Sequence, residues 1–246
     1  MPRSDNHERN GMNTSLEKEV IQELSALADP TYQSFQAKLV PQIDPNLILG
    51  VRTPALRAYA KAFAKNQPDK AHAFIKQLPH TYYEENNIHG ELIGYLARTP
   101  QEAFELLDTF LPYVDNWATC DLIRIPALKK DLDATLAKIK EWIHAEPEYM
   151  VRFGVVELMT LFLDDAFDPQ HLFLVADIKR DEYYINMARA WYYSFALIKQ
   201  PKATLPFFEK RPTILDTWTH NKSLQKARES RRISPEQKAY FQSLKV

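Results

Sequence analysis

Several side chains in this sequence have types and spacings that could do chemistry. In NWATCD, Trp117 and Asp121 lie four residues apart, which on a helix puts them on one face within mutual reach. Arg152 interrupts the apolar run MVRFGVVELM, and Trp191 follows Arg189 in MARAWYYS. Between Lys222 and Arg232 stand Lys222, Lys226, Arg228, Arg231 and Arg232 with a single acid, Glu229, a density that suits a polyanion. Each feature also has a plain structural reading. A helical Trp is most often core, Asp121 could be the acid of a buried ion pair that Arg152 neutralises, and a basic run can be a solvated helix face.

Other pairs carry less. Glu84 and Glu85 look like an acid–base dyad on paper. Adjacent residues point about 100° apart on a helix, so the two cannot flank one bond, and they read as structural, with Arg57 or Arg98 as partners. His89-Gly90-Glu91 contains the H-x-E of zinc deaminases, but no P-C-x-x-C follows, so that reading is rejected and no metal site is expected. Cys120 faces a different side of its helix from Asp121 and reads as a packed apolar residue rather than a nucleophile. As the single cysteine it can form neither an intramolecular disulfide nor a cysteine-rich metal site.

These residues need elements to position them, and the elements read as helices. Helix starts recur with one punctuation: Thr14 with Glu17, Thr53-Pro54, Thr99-Pro100-Gln101-Glu102 and Ser234-Pro235-Glu236-Gln237. Apolar residues then recur at three and four, as in Leu132, Leu136, Ile139, Trp142 and Ile143. Residues 1–13 read as a disordered tail and 14–246 as one domain. Similar aromatic-rich text opens at Tyr82, Tyr149 and Tyr183, and steps of roughly 34 residues add Asn116 and Thr217 as further heads. Shorter helices at 100–111, 131–145, 168–178 and 201–210 fill the gaps. The expected fold is therefore all-α, a curved solenoid of two-helix repeats with one helix of each pair lining a concave face. Counted from the heads, Trp117, Asp121 and Trp191 take offsets 1, 5 and 8 and share a face. Arg152, at offset 3, needs a small register shift or solenoid twist to join them.

Composition agrees. The 246 residues include only 5 glycines, where average usage would give about 17. That disfavours barrels, Rossmann units and P-loops, which need glycine at fixed places. No apolar stretch approaches a membrane span, and the polar N-terminus is no secretory signal, so a soluble cytoplasmic protein is expected. The net charge of −1 hides an asymmetry: residues 179–246 carry 14 basic and 6 acidic side chains, the rest 17 and 26.

The chain resembles the HEAT-like-repeat family of DNA alkylation repair proteins, the AlkD-like DNA glycosylases. The resemblance is carried by ILGVRTPALRAYAK (48–61), YYEENNIHGELIG (82–94), VDNWATCD (114–121), YMVRFGVVELM (149–159), YYINMARAWYYS (183–194) and LQKARESRR (224–232). It implies a site of a Trp and an Asp four apart, an Arg and a second Trp, which fall on Trp117, Asp121, Arg152 and Trp191. It further implies a monomeric, cofactor-free DNA glycosylase that excises cationic alkylpurines from double-stranded DNA, held by Arg152, Arg189, Lys222, Lys226, Arg228 and Arg231. Some branches keep the Asp but lack part of an N-terminal recognition helix, and the matching segment here, DPTYQSFQAKLVPQID (29–44), is brief. An inactive DNA-binding scaffold and a protein-binding solenoid are therefore the competing readings.

Overall fold

A computed structural model describes residues 15–246, so the tail at 1–13 and the capping role of Thr14 lie outside the described residues. Every regular element among these is helical, and the sole β-bridge is an isolated antiparallel one between Ala28 and Val51. The chain divides into two compact units between Lys130 and Asp131. The first contains α1 (Ser15–Ser25), α2 (Pro30–Leu39), α3 (Thr53–Asn66), α4 (Pro68–Phe74), α5 (Tyr83–Leu96), α6 (Pro100–Phe110) and α7 (Trp117–Leu122). The second contains α8 (Leu132–Trp142), α9 (Glu148–Leu161), α10 (Gln170–Ala176), α11 (Tyr183–Lys199), α12 (Pro201–Thr204), α13 (Pro206–Glu209), α14 (Thr217–Glu229) and α15 (Pro235–Ser243).

The expected repeat is present. Helices α5, α7, α9, α11 and α14 start within one residue of the heads Tyr82, Asn116, Tyr149, Tyr183 and Thr217. Ties between neighbouring repeats recur at nearly the same separation, as in Arg57–Glu91 at 3.0 Å, Lys130 Nζ to Arg98 O at 2.6 Å, Arg180 Nη2 to Glu146 O at 3.0 Å and Lys199–Asp164 at 2.6 Å. Repeat packing puts residues about one period apart side by side, which is why the separations agree. The heads are set by local chemistry. Asn116, Asp131 and Asp216 accept the N–H three residues on at 2.8, 2.9 and 2.8 Å, each cap stabilising its helix by about 1 kcal/mol. Thr99 and Ser234 cap as expected. Thr53 does not: α3 starts at Thr53 itself, with Arg52 in the cap position and no side-chain bond there.

Two helices are sunk almost completely. In α5 and α9 nearly every residue through the middle turns is buried. Burying an Ile or Leu such as Ile88, Leu92 or Leu158 stabilises by roughly 1.5–3 kcal/mol each, whereas the buried Glu84 and Glu85 must be matched by donors. The carboxylate of Glu84 accepts the backbone N–H groups of Leu49, Gly50 and Val51 at 2.8, 2.8 and 3.2 Å. Glu85 accepts those of Thr81 and Tyr82. The pair is structural, as its spacing required, but its partners are backbone groups. Arg57 pairs with Glu91 instead, and Arg98 offers its backbone N–H to Glu102.

Close helix approach explains the glycines inside helices. A Cβ on Gly94 would sit 2.2 Å from the carbonyl oxygen of Arg124. Ala is the better helix former by about 1 kcal/mol, but here the backbone of the 123–125 segment would have to move, and overpacking of this kind costs ~1–3 kcal/mol. Gly94→Ala is expected to lower the thermal midpoint by a few degrees. A raised midpoint would show that helix propensity wins and that this approach is not tight.

Candidate nucleic-acid interface

In the first unit, Trp117 is the first residue of α7 and is half-buried. Its indole Nε1–H donates to the carbonyl of Leu39 at 2.9 Å. Leu39 ends α2, where carbonyls lack helical partners. The ring packs beside Ala37 and Leu47 against Val40, Ile43, Ile48 and Tyr83. The short segment 29–44 is therefore what orients Trp117. It forms a helix because Asp29 accepts the N–H groups of Thr31 and Tyr32 ahead of a first-turn Pro30. That Asp-Pro start repeats the punctuation seen elsewhere, and sequence reading passed over it. Along α2, Tyr32, Phe35 and Leu39 follow a helical stripe; Phe35 and Leu39 are exposed, and the Arg52 guanidinium lies 5.0 Å from the Tyr32 ring centroid.

Asp121 lies in the last turn of α7, half-buried, four residues from Trp117. The helix is shorter than its repeat position suggested and stops at Leu122. Ile125 precedes Pro126 and so disfavours helix, and the Arg124 carbonyl is placed against Gly94 instead. Arg124 Nη1 donates to the backbone carbonyls of Asp121 and Ile123 at 2.6 and 2.7 Å. Cys120 is buried, matching its reading as a packing residue.

In the second unit, the first turns of α9, α11 and α14 carry a row of rings. Tyr149 and Tyr184 have centroids 5.8 Å apart, Tyr184 and Tyr183 5.1 Å, and Tyr183 and Trp218 5.8 Å. Tyr183 and Trp218 are exposed. Cations border the row. Lys222 Nζ is 5.9 Å from the Trp218 ring centroid, a cation–π distance. Arg152 is buried, 5 % exposed, and its Nη1 donates to the Tyr184 carbonyl at 2.8 Å. Partial burial pulls the Lys226 ammonium below its usual range; Glu229 opposes this, and the like charges of Lys222 and Arg152 add to it. Lys222 and Arg152 are thus each within electrostatic reach of Lys226. Arg228 is half-buried in the last turn of α14, and Arg231 is exposed just beyond it. Trp191 is half-buried, seven residues after Tyr184 and so on the same stripe of α11, with Phe195 6.1 Å away.

The register of Arg152 resolves here. Helix α9 begins at Glu148 rather than Tyr149. Counted from the first helical residue, Arg152 takes the position in α9 that Asp121 takes in α7, and Trp191 lies one turn further along in α11. Arg189 behaves differently from expectation. It is 2 % exposed, and its guanidinium donates to Val175 O, Asn186 Oδ1, Asp216 Oδ2 and Thr219 Oγ1 at 2.8–3.2 Å. Burial works to raise the Asp216 carboxyl, but Thr219 and Arg189 outweigh it and hold it below its usual range. Arg189 locks α11 to the cap of α14 and is corrected from a DNA contact to a structural residue. Tyr149 and Tyr183 read from the sequence only as repeat heads, and Tyr184 and Trp218 are not singled out by it. Trp218 had a usable signal, since Lys222 follows it at the Trp117–Asp121 spacing.

Helical repeats whose first turns expose rings beside Lys and Arg side chains define a class: an all-helical repeat protein suited to a polyanionic nucleic acid. The sequence matches the family of DNA alkylation repair enzymes over residues 20–232, and the chain belongs to that family. Membership supports a role in DNA repair, with DNA as the substrate. No curated protein and no solved structure matches the chain. Among the described residues no helix is long and apolar enough to cross a membrane.

Proposed function

We propose that this chain is a monofunctional DNA glycosylase of HEAT-like repeats that excises cationic N7-alkylguanine and N3-alkyladenine from duplex DNA, acting as a cytoplasmic monomer. The observation that carries the reading is the half-buried carboxylate of Asp121 one turn from a Trp117 anchored through its indole N–H, in a chain of the DNA alkylation repair family. Alkylation leaves the purine positively charged, so it departs readily with the electron pair of the glycosidic bond and becomes neutral. The sugar left behind is oxocarbenium-like. Asp121 stabilises that cation and orients a water, whose oxygen bonds to the anomeric carbon and whose proton passes to the carboxylate or to solvent. Trp117 and Trp191 offer aromatic faces to the cationic sugar or base. Arg152, whose guanidinium has five donors, meets a backbone phosphate, and Lys222, Lys226, Arg228 and Arg231 hold neighbouring ones.

Purified protein incubated with duplex containing N7-methylguanine is expected to release free N7-methylguanine. Salt-sensitive duplex binding without release would instead identify an inactive DNA-binding scaffold. Absence of both would favour a protein-binding solenoid. The basic residues have their own expected result. Reversing Lys222, Lys226 or Arg231 to Glu one at a time weakens binding to any duplex sequence. Each also flattens the slope of log affinity against log salt by about 1, the contribution of one phosphate contact. Unchanged slopes in all three would remove this surface from the DNA interface.

A further inference from the structure

Within the first unit, a buried cluster takes no part in the proposed chemistry. Glu17 stands in the first turn of α1, His80 just ahead of α5, and Glu85 in the first turn of α5. They are 8 %, 5 % and 1 % exposed, and one ligand-type atom from each lies within 4.8 Å of the other two. The imidazole of His80 is held tightly. Its ring stacks on Phe74 at 4.5 Å, and its Nε2 is 2.8 Å from Nδ1 of His89, which itself stacks on Phe110 at 4.0 Å. With Nε2 in that bond, Nδ1 is the nitrogen His80 has left, and it has no hydrogen-bond partner. A buried ring nitrogen without a partner is costly and calls for an occupant. Two buried carboxylates stand beside it and supply the negative charge that a bound cation would need.

We propose that Glu17, His80 and Glu85 bind one divalent transition-metal ion of the zinc type. The donor set is one imidazole nitrogen and two carboxylates, borderline-soft plus hard, which suits Zn²⁺ better than Mg²⁺ or Ca²⁺, whose ligands are oxygens. The surroundings have the outer shell such sites need. When Nε2–H of His80 donates to Nδ1 of His89, the Nδ1 lone pair of His80 is available to an ion, and the N–H groups of Thr81 and Tyr82 both fall on Oε2 of Glu85 and orient that carboxylate. The ion would tie α1 to α5, since its ligands come from both. The ligands are 63 and 5 residues apart in sequence, a spacing no short metal motif describes.

The test uses the full chain stripped with a chelator and titrated with ZnCl2, then with CoCl2. Zinc is expected to bind at one ion per chain and raise the thermal midpoint until that ratio is reached. Cobalt is expected to give the visible absorption of a four-coordinate ion. Glu17→Gln and His80→Gln abolish both signals, and His89→Gln, which keeps all three ligands, weakens zinc binding by ~10–100-fold. Should a variant fail to fold, as far-UV circular dichroism would reveal, the unmutated chain decides alone. No stoichiometric zinc uptake and no cobalt band overturns the proposal. So does uptake that Glu17→Gln and His80→Gln, once folded, leave intact. A stability profile identical with and without zinc also overturns it and assigns the cluster to a shared proton.

Discussion

On the proposed mechanism, Asp121→Asn lowers release of N7-methylguanine by about 10²-fold or more while duplex binding and folding persist. Deleting one preorganised electrostatic partner of a developing charge costs a factor of this order, and Asn keeps the shape while losing the charge. Stability is expected to change by less than about 1 kcal/mol. Asp121 lies in the last turn of α7, where the helix dipole disfavours a carboxylate by ~0.3–1 kcal/mol, and the helix is held from its other end by Asn116. The measurement pairs base release with urea unfolding of the same preparation. Loss of both together would make Asp121 structural, and retention of release would remove it from the chemistry.

The second large effect is on folding. Glu84→Ala is expected to cost ~3–5 kcal/mol, the usual range for breaking a buried charged network from one side. The side chain is fully buried, and its loss strands three backbone N–H groups at Leu49, Gly50 and Val51. Burial raises the Glu84 carboxyl above its usual range, and those three N–H groups oppose that rise. The consequence reaches the candidate site. The 48–51 segment holds α2, because Asp29 N–H donates to Gly50 O at 2.9 Å and Gln33 Nε2 to Ile48 O at 2.6 Å. Gly50 adopts φ 91, and a Cβ there would meet both Asp29 O and Gln33 Cβ at 2.7 Å, so the turn has no slack. Helix α2 in turn supplies the carbonyl that anchors Trp117. Denaturant unfolding and the fluorescence of Trp117 would follow the two consequences. A loss below about 1 kcal/mol would show that water takes over from the carboxylate.

Much was legible without coordinates, and for a local reason. Helix starts depend on a cap residue, a first-turn proline and apolar residues at three and four, all within a few positions of one another. Reading them gave the helical class, while aromatic-rich text recurring at about 34 residues located the five repeat heads to within one residue and put Trp117 and Asp121 one turn apart on a helix. The one-residue start of α9 is a local matter too, yet Pro147 and Glu148 offer no cap side chain to announce it. Hence the register of Arg152 stayed ambiguous until the helix was seen.

The rest was decided by tertiary structure, because it depends on how helices pack and not on how each one starts. Arg189 sits in a sequence context much like that of a surface cation. Only the packing of α11 on α14 brings Asp216, 27 residues on, to its guanidinium. The acceptor of the Trp117 indole lies 78 residues upstream, and the partners of Glu84 are backbone N–H groups, which every residue but proline carries and no residue type advertises. Glu17 reaches His80 and Glu85 through the packing of α1 against α4 and α5. By itself the sequence determined an all-helical repeat and the residues available for chemistry. Which of those residues are spent on holding helices together, and which remain at the surface, was set by long-range packing, where a shift of one helical turn changes every partner.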